Sequence, residues 1–228
     1  ITYRLEAPAN LPEFALSVRT YLNSPDIQQI LADLDGDGAL EEVSLGRIVG
    51  GGMFELSLQT YEGWFKDEPR VDLAQLVSAL VQDPRDLQAG EINGDGFVDL
   101  VLADRGAGAL IILEGNGDLT FPTTRSIPGL GPLEQVVLLD LDNDGDLDVT
   151  YSRRSGHAGW ELVLLSGDGS GGFSSPVTLA TKTPAAGTSV QLETHAHGDF
   201  NGDGIEDLVA HFNTTFAPRV AASEVMLV

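Results

Sequence analysis

Asp140-Leu141-Asp142-Asn143-Asp144-Gly145-Asp146-Leu147-Asp148 is the stretch on which the reading of this chain turns. Five carboxylates in nine residues repel one another by roughly a few kcal/mol unless a positive charge sits among them. Acidic side chains stand at positions 1, 3, 5 and 9, with Gly145 at position 6 and apolar residues on either side. Oxygen-only donors on a tight turn suit a hard cation that takes six or seven oxygens, and calcium is the natural choice. Gly145 fits because the chain must reverse there with φ > 0, which glycine adopts at least cost.

Three further stretches repeat the pattern: Asp33-Leu34-Asp35-Gly36-Asp37-Gly38-Ala39-Leu40-Glu41, Glu91-Ile92-Asn93-Gly94-Asp95-Gly96-Phe97-Val98-Asp99 and Asp199-Phe200-Asn201-Gly202-Asp203-Gly204-Ile205-Glu206-Asp207. Their first residues are 58, 49 and 59 positions apart. Such regular spacing marks a repeat protein with one cation site per repeat, about four Ca2+ in all. An EF-hand reading fails, because it needs a carboxylate at position 12 and flanking helices. Position 12 is Ser44, Leu102, Tyr151 and Ala210.

The same plan recurs around each loop. An apolar segment leads in at 27–32, 87–90, 136–139 and 190–198. A second follows at 43–49, 99–103, 148–152 and 207–212, and a third at 53–60, 109–114, 160–166 and 223–228. These runs are short, rich in Val, Leu and Ile, and bounded by Gly or Pro, so they read as strands. In the second and third repeats, the turns Gly115-Asn116-Gly117-Asp118 and Gly167-Asp168-Gly169-Ser170-Gly171-Gly172 lead to Phe121 or Phe173 and a fourth strand. Four antiparallel strands per unit of 49–59 residues is the sequence signature of a propeller blade.

The expected fold class is therefore all-β: a β-propeller of four-stranded antiparallel blades, one domain over 1–228, with repeats at about 27–84, 85–132, 133–187 and 188–228. Residues 1–26 hold two further strands, Ile1–Glu6 and Phe14–Leu22, expected to complete the last blade, which stops on its third strand. In the first repeat, Leu73, Leu76, Val77, Leu80 and Val81 follow helical spacing behind Pro69, which predicts a helix over Arg70–Gln82; the alternative is a fourth strand in Val71–Val81.

Net charge is −23, and 16 of the 35 acidic residues lie in the four loops, so the acidity is concentrated there. No basic cluster exists beyond Arg153-Arg154, which argues against nucleic acid as a partner. No apolar run approaches 18 residues, so no membrane insertion by a helix is expected. Absence of cysteine excludes disulfides and thiolate metal sites, and it fits a chain stabilised by ions outside the cell. Ile1 in place of an initiating Met suggests a processed or excised segment. Asn213-Thr214-Thr215 matches the glycosylation pattern.

Asp-x-Asp-x-Asp-Gly-x-x-Asp followed by an apolar strand, with a later Gly-Asn-Gly-Asp…Phe turn, resembles the FG-GAP/VCBS repeat. That repeat builds the propeller of integrin α-subunits, of many secreted bacterial proteins and of some fungal lectins. The resemblance covers about residues 27–228. It implies that side chains at positions 1, 3, 5 and 9 and the carbonyl of position 7 hold calcium. Those residues are Asp33, Asp35, Asp37, Ala39 and Glu41; Glu91, Asn93, Asp95, Phe97 and Asp99; Asp140, Asp142, Asp144, Asp146 and Asp148; and Asp199, Asn201, Asp203, Ile205 and Asp207. Glu41 and Glu91 are one methylene longer than the family's Asp, so those two sites are expected to be weaker or differently shaped. Family rings usually have seven blades, so further blades or a second chain completing the ring belong to the expectation, beside a small ring.

Catalytic motifs (Gly-x-Ser-x-Gly, the phosphate-binding loop, His-Glu-x-x-His) are absent. His195 and His197 flank Ala196 on one strand and would need a third ligand to hold zinc. Trp160 opens a strand and reads as core; Trp64, in an irregular segment, has the better claim to a contact role. The resulting expectation is a calcium-stabilised, secreted, cell-surface or periplasmic scaffold for binding or adhesion, with a protein or carbohydrate ligand. Its ligand would meet the loops opposite the ion sites or the clefts between blades. A lectin binding glycans between blades and a polysaccharide-active enzyme such as a lyase are the alternatives.

Overall fold

Short Val/Leu/Ile runs separated by Gly-rich turns cannot make helices, and they form strands throughout. The computed structural model describes residues 28–47, 54–59, 71–72, 81–156, 159–186, 188–216 and 220–227. The first sheet is β1 (Gln28–Ala32), β2 (Glu41–Arg47), β3 (Phe54–Gln59) and β4 (Val71–Asp72). The second is β5 (Pro84–Gly90), β6 (Asp99–Asp104), β7 (Ala109–Glu114) and β8 (Thr123–Ile127). The third is β9 (Leu133–Leu139), β10 (Asp148–Ser155), β11 (Gly159–Leu165) and β12 (Val177–Lys182). The last holds three strands, β13 (Thr188–Gly198), β14 (Asp207–Phe216) and β15 (Val220–Leu227). Within each sheet the strands pair antiparallel in chain order. Every lead-in, second and third run read from the sequence becomes a strand, as do the runs after Phe121 and Phe173.

The helix expected over Arg70–Gln82 is corrected at its start. Val71 and Asp72 are strand, paired with Leu58 and Ser57; the pull of an open sheet edge on β-branched Val71 outweighs the helical spacing that follows. Residues 73–80 lie outside the described residues, as do Ile1–Glu6, Phe14–Leu22 and the segment of Trp64.

Burial follows the two-residue period of the strands. On β6 and β7, Leu100, Leu102, Ala109, Ile111 and Leu113 pack with Ile30, Val43 and Leu45 of the first sheet. Their alternates Val101, Ala103, Leu110 and Ile112 pack with Val136, Leu138, Val149, Tyr151 and Val163 of the third. Val137, Leu139, Trp160 and Leu162 then face Val190, Leu208, Ala210 and Phe212 of the last sheet. A sheet buried on both faces needs continuous apolar strands, which is why Asp99–Asp104 is buried at every position. The lead-in strands β1, β5, β9 and β13 are successive neighbours from sheet to sheet. The sheets thus stack face to face, with their first strands together and all described ion loops at one end.

Two polar features of the lead-in strands recur at fixed offsets from the loops. Five residues before position 1 stand Gln28, Asp86 and Gln135. Gln28 donates to Asp86 Oδ1, Asp86 Oδ2 accepts from Val136 N at 3.0 Å, and Gln135 Oε1 lies 3.3 Å from His195 Nδ1. These side chains tie β1 to β5, β5 to β9 and β9 to β13. One residue earlier, Arg85, Glu134 and Glu193 are skipped by the register of their pairings, so each is a bulge. A bulge bends its strand and re-aims the extra residue. Glu134 is thereby placed among Arg85, Arg105 and Arg154, drawn from two sheets at the end away from the ion loops.

Candidate metal centres

Each loop is held by its own carboxylates accepting backbone N–H groups. In the first, Asp33 takes Gly36 N at 2.8 Å and Gly38 N at 3.0 Å, and Asp37 takes Ala39 N at 2.7 Å. In the third, Asp140 takes Asp144 N and Gly145 N, and Asp144 takes Asp146 N. The last repeats the scheme with Asp199, Asn201 and Asp203. In the second, Glu91 takes Asn93 N at 2.9 Å and Gly94 N at 2.6 Å instead, because its longer side chain reaches back to earlier donors. The backbone of that loop keeps the course of the others, with Gly94 at φ 77 and Gly96 at φ 84 beside Gly36 at 76 and Gly38 at 86, so the extra methylene changes which N–H groups are held.

Position 9 ties each loop to its surroundings. Glu41, Asp99, Asp148 and Asp207 each accept the N–H of position 2 of their loop. The free oxygens of Asp99 and Asp148 accept Gly115 N at 2.8 Å and Gly167 N at 2.9 Å, the glycines that open the β7–β8 and β11–β12 turns. One carboxylate thus fastens the ion loop to the neighbouring hairpin. Burial raises the pKa of Glu41 and Asp148, and pushes Asp99 up to about 6 against its two N–H donors, with the other loop acids adding to the rise.

Positions 1, 3 and 5 converge. In Asp33, Asp35, Asp37 and again in Asp140, Asp142, Asp144, one oxygen from each side chain lies within 4.8 Å of the other two. Oxygens on a shared calcium ion, at about 2.3–2.6 Å from it, can be no more than roughly 5.2 Å apart. The donor set and spread fit such an ion at these two loops. In the second and last loops Asn93 and Asn201 occupy position 3 and supply an amide oxygen in place of a carboxylate. The carbonyls of Ala39, Phe97, Asp146 and Ile205 would complete each set.

His195 and His197 meet different partners. His195 is buried beside Gln135, whereas His197 Nδ1 lies 2.8 Å from Glu206. Neither joins a metal-holding group among the described residues. Trp160 is core, 3% exposed, with its Nε1 donating to Val190 O and the Arg154 guanidinium 4.7 Å above its ring. Asn213 of the sequon lies in the central strand β14, paired with Gln191 and Ser223, rather than in a surface loop.

A family model, the FG-GAP-like repeat, matches residues 91–151 and 140–210, more than half of the chain. The chain belongs to the FG-GAP-like repeat family. Each match runs from one ion loop through the following strands into the next, so the family's unit coincides with the loop-and-sheet repeat described above. A comparison with curated proteins finds no match.

Sequence reasoning missed two elements of these FG-GAP-like loops. Position 4 is left-handed in every copy, at Gly36, Gly94, Asn143 and Gly202. The signal was present, since three are Gly and the fourth is Asn, the side-chain-bearing residue most tolerant of that region. The hairpin N–H groups on position 9 were not legible, because nothing in the composition of a Gly-rich turn names its acceptor.

Proposed function

We propose that this chain is a calcium-stabilised β-propeller, or a four-repeat part of one, that works outside the cell as a scaffold for binding a protein or glycan ligand. The observation that carries the calcium reading is the convergence of three carboxylates on one point at Asp33/Asp35/Asp37 and Asp140/Asp142/Asp144, with no Lys or Arg paired to any of them among the described ion pairs. Face-to-face stacking with the lead-in strands together is the arrangement that blades take around an axis, and it supports the ring. At an affinity in the extracellular range of roughly 10⁻⁴–10⁻³ M, calcium at such levels would add about 1 kcal/mol per site. The test is a thermal melt with calcium and with excess chelator. A markedly lower melting temperature in chelator is expected; an unchanged one overturns the calcium reading.

One observation favours a glycan ligand over a protein. A cleft of about 310 Å³ opens between the second and third sheets, lined by Arg125, Ile127, Leu130, Leu165, Phe173 and Pro176. An aromatic ring and a guanidinium lining one concave, partly apolar site suit a sugar. A glycan array with native protein and with Phe173→Ala tests it: binding that Phe173→Ala abolishes is expected, and binding indifferent to the substitution rules out this cleft.

A further inference from the structure

The β11–β12 turn, Gly167–Gly172, touches two ion loops at once. On its own sheet's side, Gly167 N donates to Asp148, position 9 of the third loop. Gly169 packs so closely on the Asp146 carboxylate, position 7, that a Cβ there would overlap it. Toward the neighbouring sheet, a Cβ on Gly94 would stand 2.5 Å from the Gly169 carbonyl oxygen, and one on Gly171 would stand 3.3 Å from Asn93 Cβ. Asn93 and Gly94 are positions 3 and 4 of the second loop. Between these contacts the turn is stiff. Asp168 accepts the N–H of Ser170 and of Gly172 and the Ser170 hydroxyl, and Asp168 N donates back to Gly172 O.

We propose that the second and third ion loops fill cooperatively, with the Gly167–Gly172 turn carrying the coupling from Asp146 and Asp148 to Asn93 and Gly94. The proposal rests on the calcium reading above. Filling the third loop fixes positions 7 and 9, hence the turn, and a fixed turn holds Asn93 and Gly94 where an ion needs them. The ordering cost of the second loop is then already met. Charge alone would act in the opposite direction, since a dication in one loop repels a dication in the next. The sign of the coupling therefore separates the two.

The experiment is a calcium titration of the full chain followed by amide NMR at Gly96, Gly145 and Gly204, which report the second, third and last loops. In the native chain Gly96 and Gly145 should shift over the same calcium range. In Asp144→Asn, which removes the position-5 carboxylate that all four loops share, the Gly145 response should be lost and the Gly96 midpoint should move about fivefold or more to higher calcium, with Gly204 unmoved. Asp95→Asn should weaken the Gly145 response by the same factor, because binding linkage is reciprocal; this second variant also covers a misfolded Asp144→Asn. Gly169→Ala should leave Gly96 and Gly145 titrating independently. An unchanged or tighter Gly96 midpoint in Asp144→Asn, or an equal shift at Gly204, overturns the coupling while leaving the calcium reading intact. No response at any of the three glycines overturns both.

Discussion

Position 6 of the second loop shows what one residue contributes. Gly96 has φ +84, and a Cβ there would meet nothing within 4 Å. Gly96→Ala therefore isolates the cost of left-handed backbone, about 1–2 kcal/mol, and denaturant unfolding should show that loss with an unchanged m-value. A second residue-scale test concerns protons. The Ser155 hydroxyl and the Arg153 guanidinium hold the Glu161 carboxyl below its usual range. A carboxylate with a depressed folded pKa stabilises the fold above its unfolded value and loses that contribution as pH falls through the folded one. Glu161→Gln should therefore be less stable than the native chain at neutral pH, and the gap should close on acidification below about pH 4.5. A constant gap across that range, measured by thermal melts, would show that the pair contributes no charge-dependent stability.

At the scale of elements, Asp86 is the tie between lead-in strands. It is 1% exposed and accepts from Gln28, Leu87 N and Val136 N, so its removal strands donors on three sheets. Each such donor costs about 1–3 kcal/mol, and Asp86→Ala should destabilise by about 3 kcal/mol or more; a loss under 1 kcal/mol in chemical unfolding would show that β5 and β9 hold together without it. The sequence disclosed strands more readily than ties. Val136–Leu139 or Ala109–Glu114 announce themselves by apolar content, since burial on both faces demands it. Asp86 sits in a polar approach, Pro84-Arg85-Asp86, that reads as loop. The bulges at Arg85, Glu134 and Glu193 share an offset, but one residue is basic and two are acidic, so no single residue type marks them. The β4 start at Val71 was masked by a stronger helical period just behind it. Loop residues were legible because the carboxylate spacing is itself the site; the hairpin glycines that complete it belong to a segment 16 to 19 residues further on.

Taken whole, the molecule is a stack of sheets with concentrated acidity at one end and an Arg85/Arg105/Arg154 cluster around Glu134 at the other. Its apolar cores lie between sheets rather than within one layer, so stability depends on neighbours staying in register. The acidic end works against this unless it is neutralised, because like charges gathered on consecutive sheets repel in the folded state more than in the unfolded chain. Four divalent ions would reverse the sign of that contribution. Native mass spectrometry of the chain equilibrated with millimolar calcium tests this claim most directly. The account predicts a species carrying four calcium ions, reduced in steps when Asp37 and Asp144, the position-5 carboxylates, are each changed to Asn; a spectrum with no calcium-bound species would contradict it.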